Sequence, residues 1–268
     1  MIYNTGETDE TLKAEYNPEG SILRKCQLRM LEMLCYFDDI CKKIGIEYGL
    51  DGGNVLGAVR HGGFIPWDDD IDVHIRKEDE TKLIKYLLKN PHPQFVLQCN
   101  KTDPKCYNPW PVLRDLKSEY FQDSASHNAK KYRGLQIDIF TMQKGTIKPL
   151  FWFNKKISAL NNNYLAGNIP IVPKLIYLFQ QYITNPFFSF ISKLFGNKNY
   201  CSYSYGCYNG VQYPVKVIFP SSQMNFENKL FPVPRNVHEY LTIMFGNYQD
   251  LPPKDKRNWH MASYHIED

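Results

Sequence analysis

Four aspartates crowd the stretch IPWDDDIDVHI at residues 65–75: Asp68, Asp69, Asp70 and Asp72. Side chains of an extended chain alternate between faces, so Asp70, Asp72 and His74 share one face while Ile71, Val73 and Ile75 share the other. The apolar face is built to enter a core. The other brings like charges to Cα positions about 7 Å apart, where ionised carboxylates repel and one must take up a proton unless a cation intervenes. A hard divalent cation removes that penalty, and Mg²⁺ favours one or two carboxylates together with substrate phosphates. Asp70 and Asp72 therefore read as a metal clasp, with Asp138 in LQIDIF as the third carboxylate, offered by a neighbouring strand. Mg²⁺ or Mn²⁺, as two ions, is the expected cofactor. Such a triad suits in-line displacement at phosphorus, because it stabilises the attacking and leaving oxygens together.

The aspartate string alone fits solvated turn chemistry or a helix cap equally well. Its glycine context favours chemistry: Gly52 and Gly53 stand before a short helix, where backbone N–H groups can hold a phosphate. Asn54 would add a side-chain donor. Arg60 could reach a phosphate with its fork of donors, the structural alternative being a salt bridge to Asp68. Asp69 reads as an outward turn former, and His74 as a support behind the carboxylates.

The elements that must position these groups are visible in outline. Ser21 caps a helix running to Gly45. IEYGL is a short strand, 53–60 a short helix and IDVHI a second strand, followed by a helix over EDETKLIKYLLKN. QFVLQC, WPVLRDL and GLQIDIF are further strands. Residues 149–196 read as two helical pieces around an Asn/Gly/Pro link, and RNVHEYLTIMF as a helix ended by Gly246. This pattern predicts an α+β fold, a mixed sheet with flanking helices and a helical, aromatic-rich subdomain. The expected division is a catalytic core at 1–145, a basic aromatic helical subdomain at 146–205, and a segment at 206–268 that completes the core.

Composition narrows the class. The chain of 268 residues is 43% hydrophobic and 15% aromatic, enough for a substantial core. A net charge of +4 does not indicate a nucleic-acid partner. The charge is uneven, however: between Asp138 and Glu227 there is no acidic residue and there are eight lysines. Seven cysteines without a C-x-x-C pair fit a reducing compartment. No signal peptide or apolar run of about 20 residues is visible, so a cytoplasmic protein is expected.

The order GG-x-x-LGAVRH-x-GFIPWDDDIDV, then IDIF, then FP…FPVP…YL…FGNY…LPP-x-x-KR…H resembles the LicD-type phosphocholine transferases, relatives of fukutin. The resemblance runs from about Glu47 to His260 and is least diagnostic over 145–205. It implies a nucleotidyltransferase-like fold, with the glycine pair at Gly52 and Gly53, the acidic motif at Asp70 and Asp72, a later acid at Asp138, and a further motif acid at Asp68. The implied reaction moves phosphocholine from CDP-choline to a sugar hydroxyl of a cell-surface glycan of teichoic acid or lipopolysaccharide type, releasing CMP. Asn54 stands where threonine is usual, and Thr141 and Gln143 where proline and an acid are usual. These departures leave CDP-ribitol and CDP-glycerol open as donors. The runners-up are a nucleotidyltransferase releasing pyrophosphate and a non-catalytic glycan- or membrane-binding scaffold.

Choline would need aromatic faces around its quaternary ammonium, and Trp67, Trp110, Tyr107, Tyr132 and Trp152 are candidates. His61 and His260 are candidate substrate contacts or structural histidines. The acid-free, aromatic stretch at 149–198 is the composition of a surface that settles on an anionic membrane, where lipid-linked glycan acceptors are built. The alternative is an ordinary helical subdomain covering the sheet.

Overall fold

A computed structural model describes residues 2–122, 125–166, 171–207, 210–257 and 263–266. His260, a candidate substrate contact, lies outside them. The chain opens with helices α1 (Asp9–Tyr16) and α2 (Ile22–Ile44), then β1 (Tyr48–Leu50), α3 (Gly52–His61) and β2 (Ile71–Arg76). Next come α4 (Glu80–Lys89), β3 (Phe95–Gln98), β4 (Val112–Asp115), β5 (Ser118–Phe121), α5 (Ala125–Asn128) and β6 (Gln136–Lys144). Helices α6 (Lys148–Ala166), α7 (Ile171–Phe179) and α8 (Asn185–Phe195) follow, then β7 (Tyr200–Tyr203), β8 (Tyr213–Pro214), α9 (Val215–Ile218), β9 (Ser222–Phe226), β10 (Lys229–Val233), α10 (Val237–Phe245) and β11 (Ser263–Ile266).

The main sheet is mixed, in the order β1-β2-β6-β4-β3. Strand β2 runs parallel to β6, and β1, β4 and β7 pair antiparallel to their neighbours. Strand β6 is long enough to take β4 along its first half and β7 along its second, on the same edge. The β7 strand therefore belongs to this sheet although it falls within the stretch read as helical. Two small antiparallel pairs, β9 with β10 and β5 with β11, complete the strands.

Helix α2 begins at Ser21, whose hydroxyl accepts from the Arg24 amide, and ends at Gly45 in the left-handed region, as its sequence signals require. Its buried face carries Cys26, Met30, Met33, Leu34 and Phe37 into the core. There it meets the apolar face of β2, Ile71, Val73 and Ile75, all fully buried. Burying a residue of this size stabilises by about 1.5–3 kcal/mol. The alternation of β2 is thus resolved as expected, with apolar residues to the core and the aspartates to the opposite face. All seven cysteines are free thiols.

The stretch after β6 holds two helical pieces as the sequence suggested, α6 and then α7 continued into α8, and the link expected between them, at 167–170, lies outside the described residues. Pro186 does not interrupt the second piece, because it sits in the first turn of α8, where its missing N–H is tolerated. A π-helical turn, Gln180–Thr184, joins α7 to α8.

Candidate active site

The parallel register of β2 and β6 places Asp72 directly opposite Asp138, between the pairs Ile71–Ile137 and Val73–Ile139. In-register neighbours project to the same face, about 4.8 Å apart across the strands. Asp70 lies just before β2, and Asp68 one turn earlier. The Asp68 loop is held from α2, where Gln27 Nε2 donates to the Asp68 carbonyl at 2.9 Å. Asp51, at the end of β1, joins the cluster through its amide, which donates to the Asp72 carbonyl at 2.9 Å.

Electrostatics follow from this crowding. Burial holds the Asp68 carboxyl well above the usual carboxylate range, and the charges of Asp70 and Asp69 push it further. Burial does the same to Asp72, reinforced by Asp70, Asp138, Asp51 and Asp68. Asp68 Oδ2 is buried and has no hydrogen-bond partner among the described residues. Asp138 is held differently: Trp110 Nε1 donates to its Oδ1 at 2.9 Å and Gln136 Nε2 to its Oδ2 at 2.9 Å. Both donors fix its orientation.

Helix α3 starts against the carboxylates. A Cβ on Gly52 would lie 3.5 Å from Asp72 Oδ2, on a backbone whose φ of +51° favours glycine, and one on Gly53 would lie 3.2 Å from Asp68 Oδ2. The pair thus lets the helix approach the acids closely. The Gly52 amide is not open to a phosphate as expected, because it donates to Asp51 Oδ1 at 3.0 Å and Tyr240 Oη at 2.8 Å. Asp51 Oδ1 also accepts from the Tyr203 hydroxyl at 2.9 Å and from Tyr240.

Asn54 also departs from its expected role. Its Nδ2 donates to the Asp70 carbonyl at 3.1 Å and its Oδ1 accepts from the Asp72 amide at 2.6 Å. The side chain is a clamp between α3 and the strand that carries the acids. Asn54→Ala would leave two backbone groups unpaired, and we expect about 1–3 kcal/mol of lost stability for each buried group left so. Turnover should fall about 10–100-fold, as for supports of site residues. Asn54→Asp places an acceptor against the Asp70 carbonyl and should be no better. Denaturant unfolding and turnover of the two variants check this; an unchanged Asn54→Ala would remove the clamp from the account.

Other expected donor-binding residues point elsewhere. Arg60 Nη1 donates to the Tyr248 carbonyl at 3.4 Å and the Asp250 carbonyl at 3.2 Å, pinning the C-terminal segment, and no ion pair with Asp68 forms. His61 is buried against Tyr3 and Asp9, and burial pushes its imidazolium down to about 4, so the ring is neutral at neutral pH. Trp67 is buried between Tyr16, His61 and the Arg257 guanidinium, 4.8 Å from the ring centre. These three residues lock α1, the end of α3 and the C-terminal segment together. Asp69 is not outward but buried, and its charge is felt by Cys26 and Tyr264. His74 is fully buried with Nδ1 3.8 Å from Asp51 Oδ2, beyond hydrogen-bond distance, and neither of its ring nitrogens has a hydrogen-bond partner among the described residues.

Sequence reasoning missed Gln136 and Trp110 as the donors to Asp138. Gln136 was within reach of the alternation argument, since it stands two residues before Asp138 on the same strand face. Trp110 was visible only as an aromatic.

The family model described as LicD/FKTN/FKRP, nucleotidyltransferase domain, matches residues 45–166, which contain Asp51, Asp68, Asp70, Asp72 and Asp138. Over residues 45–166 the chain is thus similar to the LicD family. The chain is 27% identical over 256 residues to the lipopolysaccharide cholinephosphotransferase LicD of Haemophilus influenzae, covering 89% of this chain and 95% of that protein. It is 45% identical over 65 residues to the mouse ribitol 5-phosphate transferase FKRP, a match that spans 24% of this chain and 13% of that protein. The human FKRP matches at 47% over 55 residues, 20% of this chain and 11% of that protein. The matched stretch covers 45–145 of the expected core and runs on through α6.

Proposed function

We propose that the chain transfers phosphocholine from CDP-choline to a glycan hydroxyl, releasing CMP, and that it depends on Mg²⁺ or Mn²⁺. The observation that carries this reading is the in-register pair Asp72–Asp138 beside Asp68 and Asp70, in a stretch similar to the LicD family. An all-oxygen donor set and a buried, unpartnered Asp68 Oδ2 fit a hard cation. Among the described residues no group of three or more His, Cys, Asp or Glu side chains is placed to hold a metal ion. Mg²⁺ needs only one or two protein carboxylates, with phosphates and water in its other positions. Asp70, Asp72 and Asp138 would hold the metal, which would supply charge neutralisation at the phosphoryl group.

The chain's own groups do the rest. Trp110 and Gln136 keep Asp138 aimed, and Asn54 keeps Asp70 and Asp72 in register with it. Asp138, aimed by both donors, would complete the site and take the acceptor hydroxyl's proton, since each of its oxygens keeps a lone pair beyond the one hydrogen bond it accepts. The FKRP relatives favour ribitol phosphate as the second donor to test. Mg²⁺-dependent calorimetry with CDP-choline, CDP-ribitol, CDP-glycerol and ATP, followed by product analysis, tests the reading. CMP from a CDP-alcohol supports it, and pyrophosphate as product would make the protein a nucleotidyltransferase.

A second feature supports a peripheral site on an anionic membrane. No helix among the described residues is long and apolar enough to cross a bilayer. Yet Ile171, Leu175, Phe179, Ile183, Phe187, Phe190 and Leu194 recur at helical spacing along α7, the π turn and α8, and all are exposed, Ile171 at 65%. Trp152, Phe153 and Phe195 extend this surface, with Lys155 over the Trp152 ring. An exposed apolar stripe in an acid-free, lysine-bearing segment complements an anionic interface. The chain should float with phosphatidylglycerol vesicles, less so at raised salt, and Phe187→Asp with Phe190→Asp should abolish flotation. Equal behaviour with neutral vesicles would rule the electrostatic part out.

A further inference from the structure

A cavity of about 210 Å³ opens between the segment before β4, the start of α4 and the α7–π turn. Its lining residues include the aromatics Trp110, Tyr177 and Tyr182, with Glu80, Asn108 and Gln181 among them. Trp110 links it to the acids, because the indole that walls the cavity donates its Nε1–H to Asp138 at 2.9 Å. Pro111, also in the lining, directly precedes Val112, which is paired with Asp138 across β4 and β6. A ligand seated here therefore lies within one indole of the proposed phosphoryl-transfer centre.

We infer that this cavity receives the planar base of a cytidine nucleotide, with the phosphates directed toward Asp138. The inference rests on the phosphotransferase reading and assigns the nucleotide end of the donor to named residues. Aromatic rings offer a stacking platform to any base, and amide and carboxylate groups at the edges supply the donors and acceptors that a ring edge needs. The rival occupant is the quaternary ammonium of choline, which also prefers aromatic faces. Charge separates the two. Glu80 is the one carboxylate among the lining residues, and it is ion-paired with Lys77 at 2.5 Å. Lys101 adds a positive charge to the same lining. A fixed cation finds no uncompensated negative charge there and meets a like charge, whereas an uncharged base meets no such penalty. The π turn adds to the argument: it carries Gln181 and Tyr182, and single π turns inside helices recur at functional sites.

The test uses the full-length chain and calorimetric titration with CMP and, separately, with phosphocholine. Wild type should bind CMP, and Tyr177→Ala and Gln181→Ala should each weaken CMP by about tenfold or more, as loss of base stacking or edge contacts does. Phosphocholine binding should not move. Gln181 lies on the half-buried turn, so its variant keeps the test open if Tyr177→Ala melts. No CMP binding by wild type, unchanged CMP affinity in both variants, or a loss that falls on phosphocholine instead would each overturn the assignment. The two readings fail separately. The expected CMP pattern without release of CMP from any CDP-alcohol leaves the pocket standing and sinks the transfer reaction. Transfer with undiminished CMP affinity in both variants does the reverse.

Discussion

Asp72→Asn should melt at a higher temperature than wild type in metal-free buffer and yet lose turnover by about a thousandfold or more. The two effects have one cause. Asp72 is crowded by Asp70, Asp138, Asp51 and Asp68, and burial together with those charges holds its carboxyl above the usual range. The folded metal-free chain then retains a proton that the unfolded chain releases. Stability therefore falls as pH rises from the ordinary carboxylate range toward the raised value, and an asparagine removes that slope. Relief of about 1 kcal/mol would raise the melting temperature by about 2–4 °C in a chain of this size. The same charge is what would hold the metal, and a metal at phosphorus is worth several kcal/mol in the transition state. Melting curves of both proteins across the acid to neutral range, with and without Mg²⁺, check the stability half. Mg²⁺ should stabilise wild type increasingly as pH rises and leave the variant nearly unmoved. A variant that melts lower than wild type at every pH, or that keeps turnover, would refute the assignment of Asp72.

Gly57→Ala should be the most damaging single methyl in the LGAVRH segment of α3. A Cβ there would lie 2.3 Å from the Gly63 carbonyl oxygen, 3.0 Å from the Ile65 nitrogen and 3.3 Å from the Phe64 carbonyl carbon. All three are backbone, so no side chain can swing away. Either α3 or the 62–67 turn must move, and both position the acids: α3 through the Asn54 clamp, the turn by leading into Asp68. Overpacking of this kind costs about 1–3 kcal/mol or more. The melting temperature should drop by about 5 °C or more, with turnover falling further than stability alone explains. Gly62→Ala is the control. Gly62, unlike Gly57, has a positive φ, +68°, and nothing stands within 4 Å of its Cβ, so it meets backbone strain alone, about 1–2 kcal/mol. If the Gly62 variant proves equally or more harmful in melting and turnover, close packing at Gly57 is not what holds the site.

The parts of this architecture legible in the sequence are those set by local periodicity. The alternation in IDVHI foretold which face of β2 enters the core, and the caps at Ser21 and Gly45 foretold the ends of α2. Asp70, Asp72 and Asp138 were found by type and spacing, and the register of β2 with β6 brings two of them side by side. Long-range partners were not legible. Nothing near Arg60 in sequence announces the Tyr248 and Asp250 carbonyls, nearly two hundred residues away, that engage it. Nothing near Gly52 announces Tyr240. His61 and Trp67 sit inside the motif read as chemical, yet the structure uses them as packing, because their neighbours Tyr3, Asp9 and Arg257 come from both ends of the chain. A motif position therefore fixes a backbone course more surely than it fixes a side chain's contacts.

The helical stretch after β6 leaves and re-enters the sheet at adjacent points. Lys144 is paired with Cys201, and the Gly145 amide donates to the Tyr200 carbonyl at 2.9 Å. In topological terms β6 and β7 are a hairpin whose turn has been expanded into α6, α7 and α8. Closing a long loop in place of a short one costs little more chain entropy, since that cost grows only with the logarithm of length. The expansion carries one wall of the nucleotide cavity and the whole apolar stripe, while the aspartates lie outside it. On the proposed reading, substrate choice and anchorage could be rewritten by exchanging one turn while the sheet that carries the aspartates stays unchanged.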